Sequence, residues 1–187
     1  MDFRTRLVLA GCMAAGAFAL LMVAAPFMAP PGAFRGLDGT PCMIDGGWEG
    51  HGIASALYAL GDVLCHQEEG RCLMLNGSQM PVCVRDLGIS VGLCIGFLMC
   101  VLLGYRLSDR RFAVAGVVLV LVMVVEWSVE TTGLDSMALR AMSGVSAGVG
   151  ASLFLSWLLY RPDDLDGGGT ARLGVRSRCD GRRRLAP

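Results

Sequence analysis

The 187-residue chain contains no lysine, because all sixteen of its basic residues are arginines. This absence excludes enzymes that need a lysine for a Schiff base, for a general base or for a phosphate-binding loop. Charge of either sign is also scarce: 17% of the residues are charged, whereas 54% are hydrophobic. A soluble domain of this size rarely has so few charged and polar residues to cover its water-exposed surface. The composition therefore indicates a membrane protein.

Aromatic residues make up only 7% of the chain, and the formal net charge is zero. The few aromatic side chains lie mostly in apolar stretches, and no basic run precedes the arginine-rich tail. Proteins that bind nucleic acid usually carry a basic patch or stripe on one face. We therefore expect no nucleic-acid partner.

Four apolar stretches are long enough to cross a bilayer, for which a helix needs about 20 mainly apolar residues. The predicted spans cover about 7–28, 87–105, 112–131 and 141–160. The predicted fold class is accordingly all-α: a polytopic bundle of four transmembrane helices over residues 1–160, with a long outer loop at 29–86. The tail, 161–187, mixes glycine with both charges, and we expect it to be disordered.

Three clusters of arginines flank the predicted spans, and all three fall on the same side. They precede the first span, lie between the second and third, and follow the fourth: Arg4, Arg6, Arg106, Arg110, Arg111, Arg161, Arg172, Arg176, Arg178 and Arg182 to Arg184. Short cytoplasmic segments retain arginine. We therefore expect a multi-pass protein of the cell membrane with both termini in the cytoplasm. A signal peptide that is cleaved after the first apolar stretch is the alternative.

Two of the predicted spans carry glycine at helical spacing. The second has Gly88, Gly92 and Gly96, and the fourth has Gly144 and Gly148. In lipid, helices associate closely where small residues let their backbones approach. We expect the second and fourth spans to pack against each other, with homodimerisation through one glycine face as the alternative use.

The outer loop contains two local signals. An apolar stripe at helical spacing predicts a short helix from Ile53 to about His66 that lies at the membrane surface: Ile53, Leu57, Leu60 and Leu64. Further along, Asn76-Gly77 stands between two apolar arms, and this pair favours a two-residue hairpin turn. The predicted hairpin would bring Cys72 and Cys83 toward each other.

Several cysteines fall in this loop, on the side of the membrane where disulfides persist. We expect a structural disulfide that joins Cys83 to either Cys65 or Cys72; Cys42 is a fourth outer cysteine. A zinc site built from Cys65, His66, Cys72 and Cys83 is the alternative, although the spacings match no zinc-finger pattern. No other cofactor is expected.

The third predicted span carries two acidic residues near its outer end. Glu126 and Glu130 are four residues apart and therefore share one helical face. Ionisable groups at this depth are costly, so they usually face a partner or a water-filled pocket. The outer arginines Arg71, Arg85 and Arg140 are the candidate partners.

This chemistry supports two functions. In the first, the protein is a binding protein without catalytic activity that holds a lipid headgroup or a small anion in a polar pocket at the outer interface. In the second, it is an interfacial enzyme that acts on a lipid-linked substrate, with His66 or Glu126 as the acid or base. A metal-binding membrane protein is a further alternative.

Several motifs resemble the uncharacterised prokaryotic membrane-protein family DUF2085, which is recognised by a Cys-His-Gln segment. They are "CHQ" at 65–67, Arg71, "PVCVR" at 81–85, "GISVG" at 88–92 and, later, "VEWSVETTGLDSMALRAMSGVSAG". The resemblance covers about 53–159 and implies a multi-span membrane protein. It also adds Gln67 to the candidate binding residues, which become Cys65, His66, Gln67, Arg71, Arg85, Glu126, Glu130 and Arg140.

The chain departs from this family's pattern directly after the arginine of "CVR". The family tends to have a cysteine there, whereas this chain has Asp86. A metal site at this place would need Cys72 or Asp86 as a substitute ligand.

Overall fold

The computed structural model describes residues 2–37, 46–104, 108–130, 133 and 136–161. Five α-helices account for most of them: α1 (Phe3–Ala24), α2 (Ile53–Leu64), α3 (Val84–Leu103), α4 (Arg110–Glu130) and α5 (Met137–Tyr160). A short 3₁₀ turn, Ala25–Phe27, extends α1, and another covers Glu69–Arg71. The strands β1 (Met74–Leu75) and β2 (Ser78–Gln79) form an antiparallel hairpin. The expected all-α fold is confirmed.

Four of these helices, α1, α3, α4 and α5, are long and apolar enough to cross a membrane. The four predicted spans are therefore confirmed, with ends that differ by a few residues. The starts of α1 and α5 differ by four residues from the prediction: α1 begins at Phe3 instead of Leu7, and α5 begins at Met137 instead of Ala141. Of the remaining predictions, those for Cys42, Arg106 and the tail after Arg161 lie outside the described residues.

The helices α3 and α5 pack through their glycines, as the spacing predicts. A Cβ atom at Gly92 would lie 2.2 Å from the carbonyl oxygen of Val145, and one at Gly148 would lie 2.2 Å from that of Ile89. The two backbones can therefore be this close only because neither residue has a side chain. Both glycine faces are used within one chain, and homodimerisation stays a prediction.

The other two long helices flank this central pair. Helix α4 packs against α5, where a Cβ atom at Gly150 would lie 2.5 Å from the carbonyl oxygen of Gly116. Helix α1 packs against α3, with Gly16 facing the sulfur of Cys94. The order across the bundle is therefore α1, α3, α5, α4.

The chain alternates in direction through the bundle, so that its two ends have different chemistry. At one end, the hydroxyls of Thr5 and Tyr160 are 3.0 Å apart, which joins the start of α1 to the end of α5. At the opposite end, α3 and α5 begin and α4 finishes, and there Arg85, Glu130 and Arg140 meet. The outer loop lies over this charged end.

Helix α2 is amphipathic, and the face that it buries consists of Ala54, Tyr58, Gly61 and Asp62. Tyr58 is fully buried and stacks on Phe34, with 3.8 Å between the ring centroids. A Cβ atom at Gly61 would lie 2.1 Å from the carbonyl oxygen of Pro81, so glycine lets α2 contact the segment before α3. In the predicted stripe, Ile53, Leu60 and Leu64 are exposed, as expected of a helix at the membrane surface, whereas Leu57 is partly buried against the core of the outer loop.

The predicted hairpin turn is confirmed. Asn76 and Gly77 have φ values of 51° and 68°, the two positive values that a type I′ turn requires. The Asn76 side chain donates a hydrogen bond to the carbonyl oxygen of Pro26 at 2.9 Å. This bond fixes the hairpin to the end of α1.

Candidate functional site

Two cysteines from different elements meet beneath the outer loop. Cys65 is the residue directly after α2, and Cys83 is the N-cap of α3. The backbone N–H of Cys83 donates a hydrogen bond to the Cys65 sulfur at 3.2 Å. The contact depends on Gly61, because any side chain there would push Pro81, and with it Cys83, away from α2.

Asp86 completes a group of three. The Cys83 sulfur accepts a hydrogen bond from the backbone N–H of Asp86 at 3.5 Å, and the Cys83 thiol donates one to Asp86 Oδ2 at 3.1 Å. This N-cap arrangement, with an acidic residue three positions later, resembles a capping box. The sulfur atoms of Cys65 and Cys83 and a carboxylate oxygen of Asp86 all lie within 4.8 Å of one another.

The contact between the two thiols shifts their pKa values in opposite directions. Their mutual hydrogen bond, together with burial, raises the pKa of the Cys65 thiol, whereas the same hydrogen bond lowers the pKa of Cys83. The first turn of α3 adds to the effect on Cys83, since the N-terminus of a helix stabilises a thiolate. Of the two thiols, that of Cys83 is therefore the one that loses its proton more readily.

Cys72 does not join this group. It is buried near the hairpin, and loss of solvent raises the pKa of its thiol to about 12. All six cysteines that lie among the described residues are free thiols: Cys12, Cys65, Cys72, Cys83, Cys94 and Cys100. The disulfide that joins Cys83 to Cys65 or Cys72 stays a prediction.

A cluster of ion pairs lies next to the cysteines. Glu130, at the end of α4, accepts hydrogen bonds from Arg85 and Arg140, and Arg71 lies 3.4 Å from its carboxylate. One turn earlier, Glu126 accepts from Arg85 at 3.0 Å. The ion pairs expected between the two glutamates and the outer arginines are therefore present.

Between the cysteines and the ion pairs lies a cavity of about 200 Å³. Its walls come from the end of α2, the loop after it, and the outer ends of α3, α4 and α5: Leu64, Cys65, His66, Glu68, Arg71, Cys83, Arg85, Asp86, Trp127 and Arg140. Three guanidinium groups, two thiols, an imidazole and two carboxylates thus share one small space.

Most of the binding residues predicted from the sequence meet at this cavity. Cys65, His66 and the three arginines line it, and the carboxylates of Glu126 and Glu130 lie behind the arginines. His66 is exposed. The structure groups Cys65 and Cys83 with Asp86, and not with the His66 and Cys72 of the four-residue zinc set.

Gln67 has a different place. Its side chain is buried and donates hydrogen bonds to the carbonyl oxygens of Tyr58 and Pro81, both at 3.0 Å. Its backbone has a φ of 49°, a left-handed conformation that is uncommon outside glycine. Gln67 therefore ties α2 to the segment before α3 and does not line the cavity.

Three residues of the site were not anticipated from the sequence. Trp127 and Glu68 line the cavity, and Ser143 donates a hydrogen bond to Glu126 at 3.0 Å. For Trp127 a signal exists: tryptophan is enriched at membrane interfaces, and this one directly follows Glu126. For Ser143 none is visible, since it is one of several serines in a helix of small residues.

The family model described as "Predicted membrane protein (DUF2085)" matches residues 65–154. The matched region begins at the Cys-His-Gln segment and ends within α5, so it contains every residue that lines the cavity except Leu64. The resemblance inferred from the motifs is confirmed. No curated protein and no solved structure matches the chain.

Proposed function

We propose that this membrane protein holds an anionic group of the phosphate class in the cavity at the outer end of the bundle. The observation that carries the proposal is that Arg71, Arg85 and Arg140 line one space of about 200 Å³. Guanidinium groups bind phosphate and carboxylate oxygens in pairs of parallel hydrogen bonds. The anion would be either the headgroup of a membrane lipid or a free small anion.

The glutamates support this reading because of where they lie. Glu126 and Glu130 accept hydrogen bonds from the arginines but do not line the cavity. They fix Arg85 and Arg140 in place from behind, and both of these arginines line the cavity. Arg71 is the most accessible of the three, since 38% of its side chain is exposed.

The size and place of the cavity favour a headgroup over a large ligand. Pockets for drug-sized molecules start at about 300 Å³, and this cavity is smaller. Trp127, in its wall, is 58% exposed on the outer surface of α4, where a bilayer would surround it. Tryptophan usually lies at the level of the lipid headgroups. A headgroup could therefore enter from the side.

Binding fits the geometry better than acid–base catalysis does. Glu126 already accepts hydrogen bonds from Arg85 and Ser143, so its carboxylate is occupied as a charge partner. A general base must instead reach the proton of a substrate directly or through one water. His66, exposed at the cavity, is the residue on which the alternative of an interfacial enzyme rests.

Arg71→Gln tests the proposal. We expect the variant to retain phosphatidic acid about 10-fold less tightly, because a hydrogen bond to a charged group contributes roughly 1.5–3 kcal/mol. The measurement is native mass spectrometry of full-length protein titrated with phosphatidic acid, phosphatidylcholine or inorganic phosphate. Competition by inorganic phosphate would identify a free anion as the ligand, and its absence a lipid headgroup.

Arg35→Gln is the matched control. Arg35 is another exposed arginine of the outer loop, where it donates to the carbonyl oxygen of Gly77 at 2.8 Å, and it does not line the cavity. The proposal is wrong if Arg71→Gln and Arg35→Gln retain the anion equally well, or if the protein holds phosphatidylcholine as tightly as phosphatidic acid.

We also infer that the charged end of the bundle faces the outside and that both termini lie in the cytoplasm. The described arginines at the opposite end support this orientation: Arg4, Arg6, Arg110, Arg111 and Arg161. Orientation follows such arginine-rich flanks. The cavity would then open to the extracytoplasmic leaflet.

Thiol labelling in intact cells tests the orientation. A maleimide that cannot cross membranes is expected to label Cys179 only after the cells are permeabilised, because the tail would be cytoplasmic. The Cys179→Ser variant assigns the signal, and Glu69→Cys places a reporter in the exposed outer loop. Labelling of Cys179 in intact cells, with the Glu69→Cys reporter protected, would reverse the orientation.

A further inference from the structure

We infer that Cys65, Cys83 and Asp86 form a binding site for a zinc-class divalent metal ion in the wall of the cavity. Two sulfur atoms and one carboxylate oxygen are a donor set that suits zinc. Sites with three protein ligands leave a fourth position open for water or another ligand. All three residues line the cavity, so this position would be filled from there.

The distances fit a tetrahedral ion. The three ligand atoms lie within 4.8 Å of one another, and Cys83 Sγ is 3.1 Å from Asp86 Oδ2. With zinc–sulfur bonds of about 2.3 Å, two sulfurs in a tetrahedral site are roughly 3.8 Å apart. Side-chain rotations that move the ligand atoms by about 1 Å would therefore be enough to close the site around an ion.

Backbone N–H groups face both sulfur atoms of the group. The backbone N–H of Cys83 donates to the Cys65 sulfur, and the N–H of Asp86 donates to the Cys83 sulfur, so each sulfur already accepts a hydrogen bond. Such bonds orient ligands and tune a metal site. Three negative ligands and a divalent ion leave one net negative charge, which faces the guanidinium groups of Arg85 and Arg140 in the same cavity.

The backbone also holds the ligands from two directions. Cys65 and Cys83 are separated by the hairpin but are joined through the contact of Gly61 with Pro81 and through the hydrogen bonds of Gln67. A preformed site of this kind does not depend on the arginines. The inference therefore goes beyond the proposed anion binding and stands or falls separately from it.

The test is the metal content of the full-length protein, purified under reducing conditions in detergent with a tag that contains no histidine. After equilibration with Zn²⁺ and gel filtration, we expect elemental mass spectrometry with an inductively coupled plasma to find about one zinc ion per chain. Titration with Co²⁺ should produce sulfur-to-cobalt charge-transfer absorption. Cys65→Ser and Cys83→Ser should each bind the ion at least 10-fold more weakly.

Four further variants separate loss of a ligand from loss of the fold. Cys72→Ser removes a buried cysteine of the same loop that is not in the group, and it should keep the zinc. Asp86→Ala should weaken binding, whereas Asp86→Cys should retain the ion with three thiolates. Arg71→Gln should keep the zinc even though it weakens anion binding.

Three results would overturn the inference. The first is that the folded wild-type protein binds no zinc and no cobalt after reduction; a Cys65–Cys83 disulfide in the protein isolated without reductant would then favour the predicted structural disulfide. The second is an equal loss of zinc in Cys72→Ser and Cys83→Ser, and the third is no rescue by Asp86→Cys, because either would show that the ion is not bound by this group.

Discussion

Replacing Gly92 with leucine is expected to lower the free energy of unfolding by about 3 kcal/mol or more, at the upper end of what overpacking costs. Gly92 lies in the middle of α3, where a Cβ atom would be 2.2 Å from the carbonyl oxygen of Val145. The obstructing atom belongs to the backbone of α5 and cannot rotate away. The two helices would have to separate along the whole face on which they pack.

The measurement is unfolding of the full-length protein in mixed detergent micelles, followed by tryptophan fluorescence as the denaturing detergent increases. Gly92→Ala should have a smaller effect in the same direction, since it adds one carbon. Val91→Leu is the matched control, because Val91 is the preceding residue in α3 and 37% exposed. Equal stability of Gly92→Leu and Val91→Leu would show that α3 and α5 do not pack in this way.

The same substitution should also weaken the site. Arg85 lies in the first turn of α3, and Arg140 lies in the first turn of α5. The spacing of these two helices therefore sets the distance between the two guanidinium groups. The contact of Gly144 with the carbonyl oxygen of Arg85, where a Cβ atom would be 2.3 Å away, fixes this spacing next to the cavity. Anion binding should therefore fall together with stability.

The bundle could be predicted from the sequence because its signals are strong and local. Spans are visible as long apolar runs, and glycines every four residues mark the face on which α3 and α5 meet. The hairpin was equally clear, since Asn76-Gly77 specifies one type of turn. Each of these features depends on residues within a few turns of one another.

The candidate site was predictable only in part, because it depends on contacts between distant segments. The spacing of Glu126 and Glu130 shows that they share a face, but it does not show that Arg85 reaches both of them while Arg140 and Arg71 reach only Glu130. That distribution follows from the packing of α3 and α5 against α4.

The cysteine group shows the same limit. The motif predicts Cys65 as a site residue, but its partners follow from the approach of Gly61 to Pro81 and from the first turn of α3. The sequence indicates Asp86 only as a substitute ligand, although an acidic residue just before an apolar run is itself a helix-start signal. The motif also predicts Gln67 as a binding residue, whereas its buried amide braces the loop.

Glu130→Gln is expected to destabilise the outer end of the bundle by about 3–5 kcal/mol, because it removes the negative charge at the centre of a buried cluster of ion pairs. Glu130 is the acceptor that Arg85, Arg140 and Arg71 share, and its side chain is only 9% exposed. Arg140 is the most affected, since it is itself nearly fully buried. Glutamine keeps the shape but carries no charge.

The matched control is Glu126→Gln, the same change one helical turn earlier. Glu126 pairs with Arg85 alone among the arginines of the cluster and is more exposed, with 15% of its side chain accessible. We therefore expect a clearly smaller loss of stability by the same unfolding measurement. The double variant Glu130→Gln with Arg140→Gln should lose less stability than the sum of the two single changes, because each single change disrupts the same ion pair. If Glu130→Gln is no less stable than Glu126→Gln, then water already solvates the cluster, and the glutamates cannot be what holds the three arginines toward the cavity.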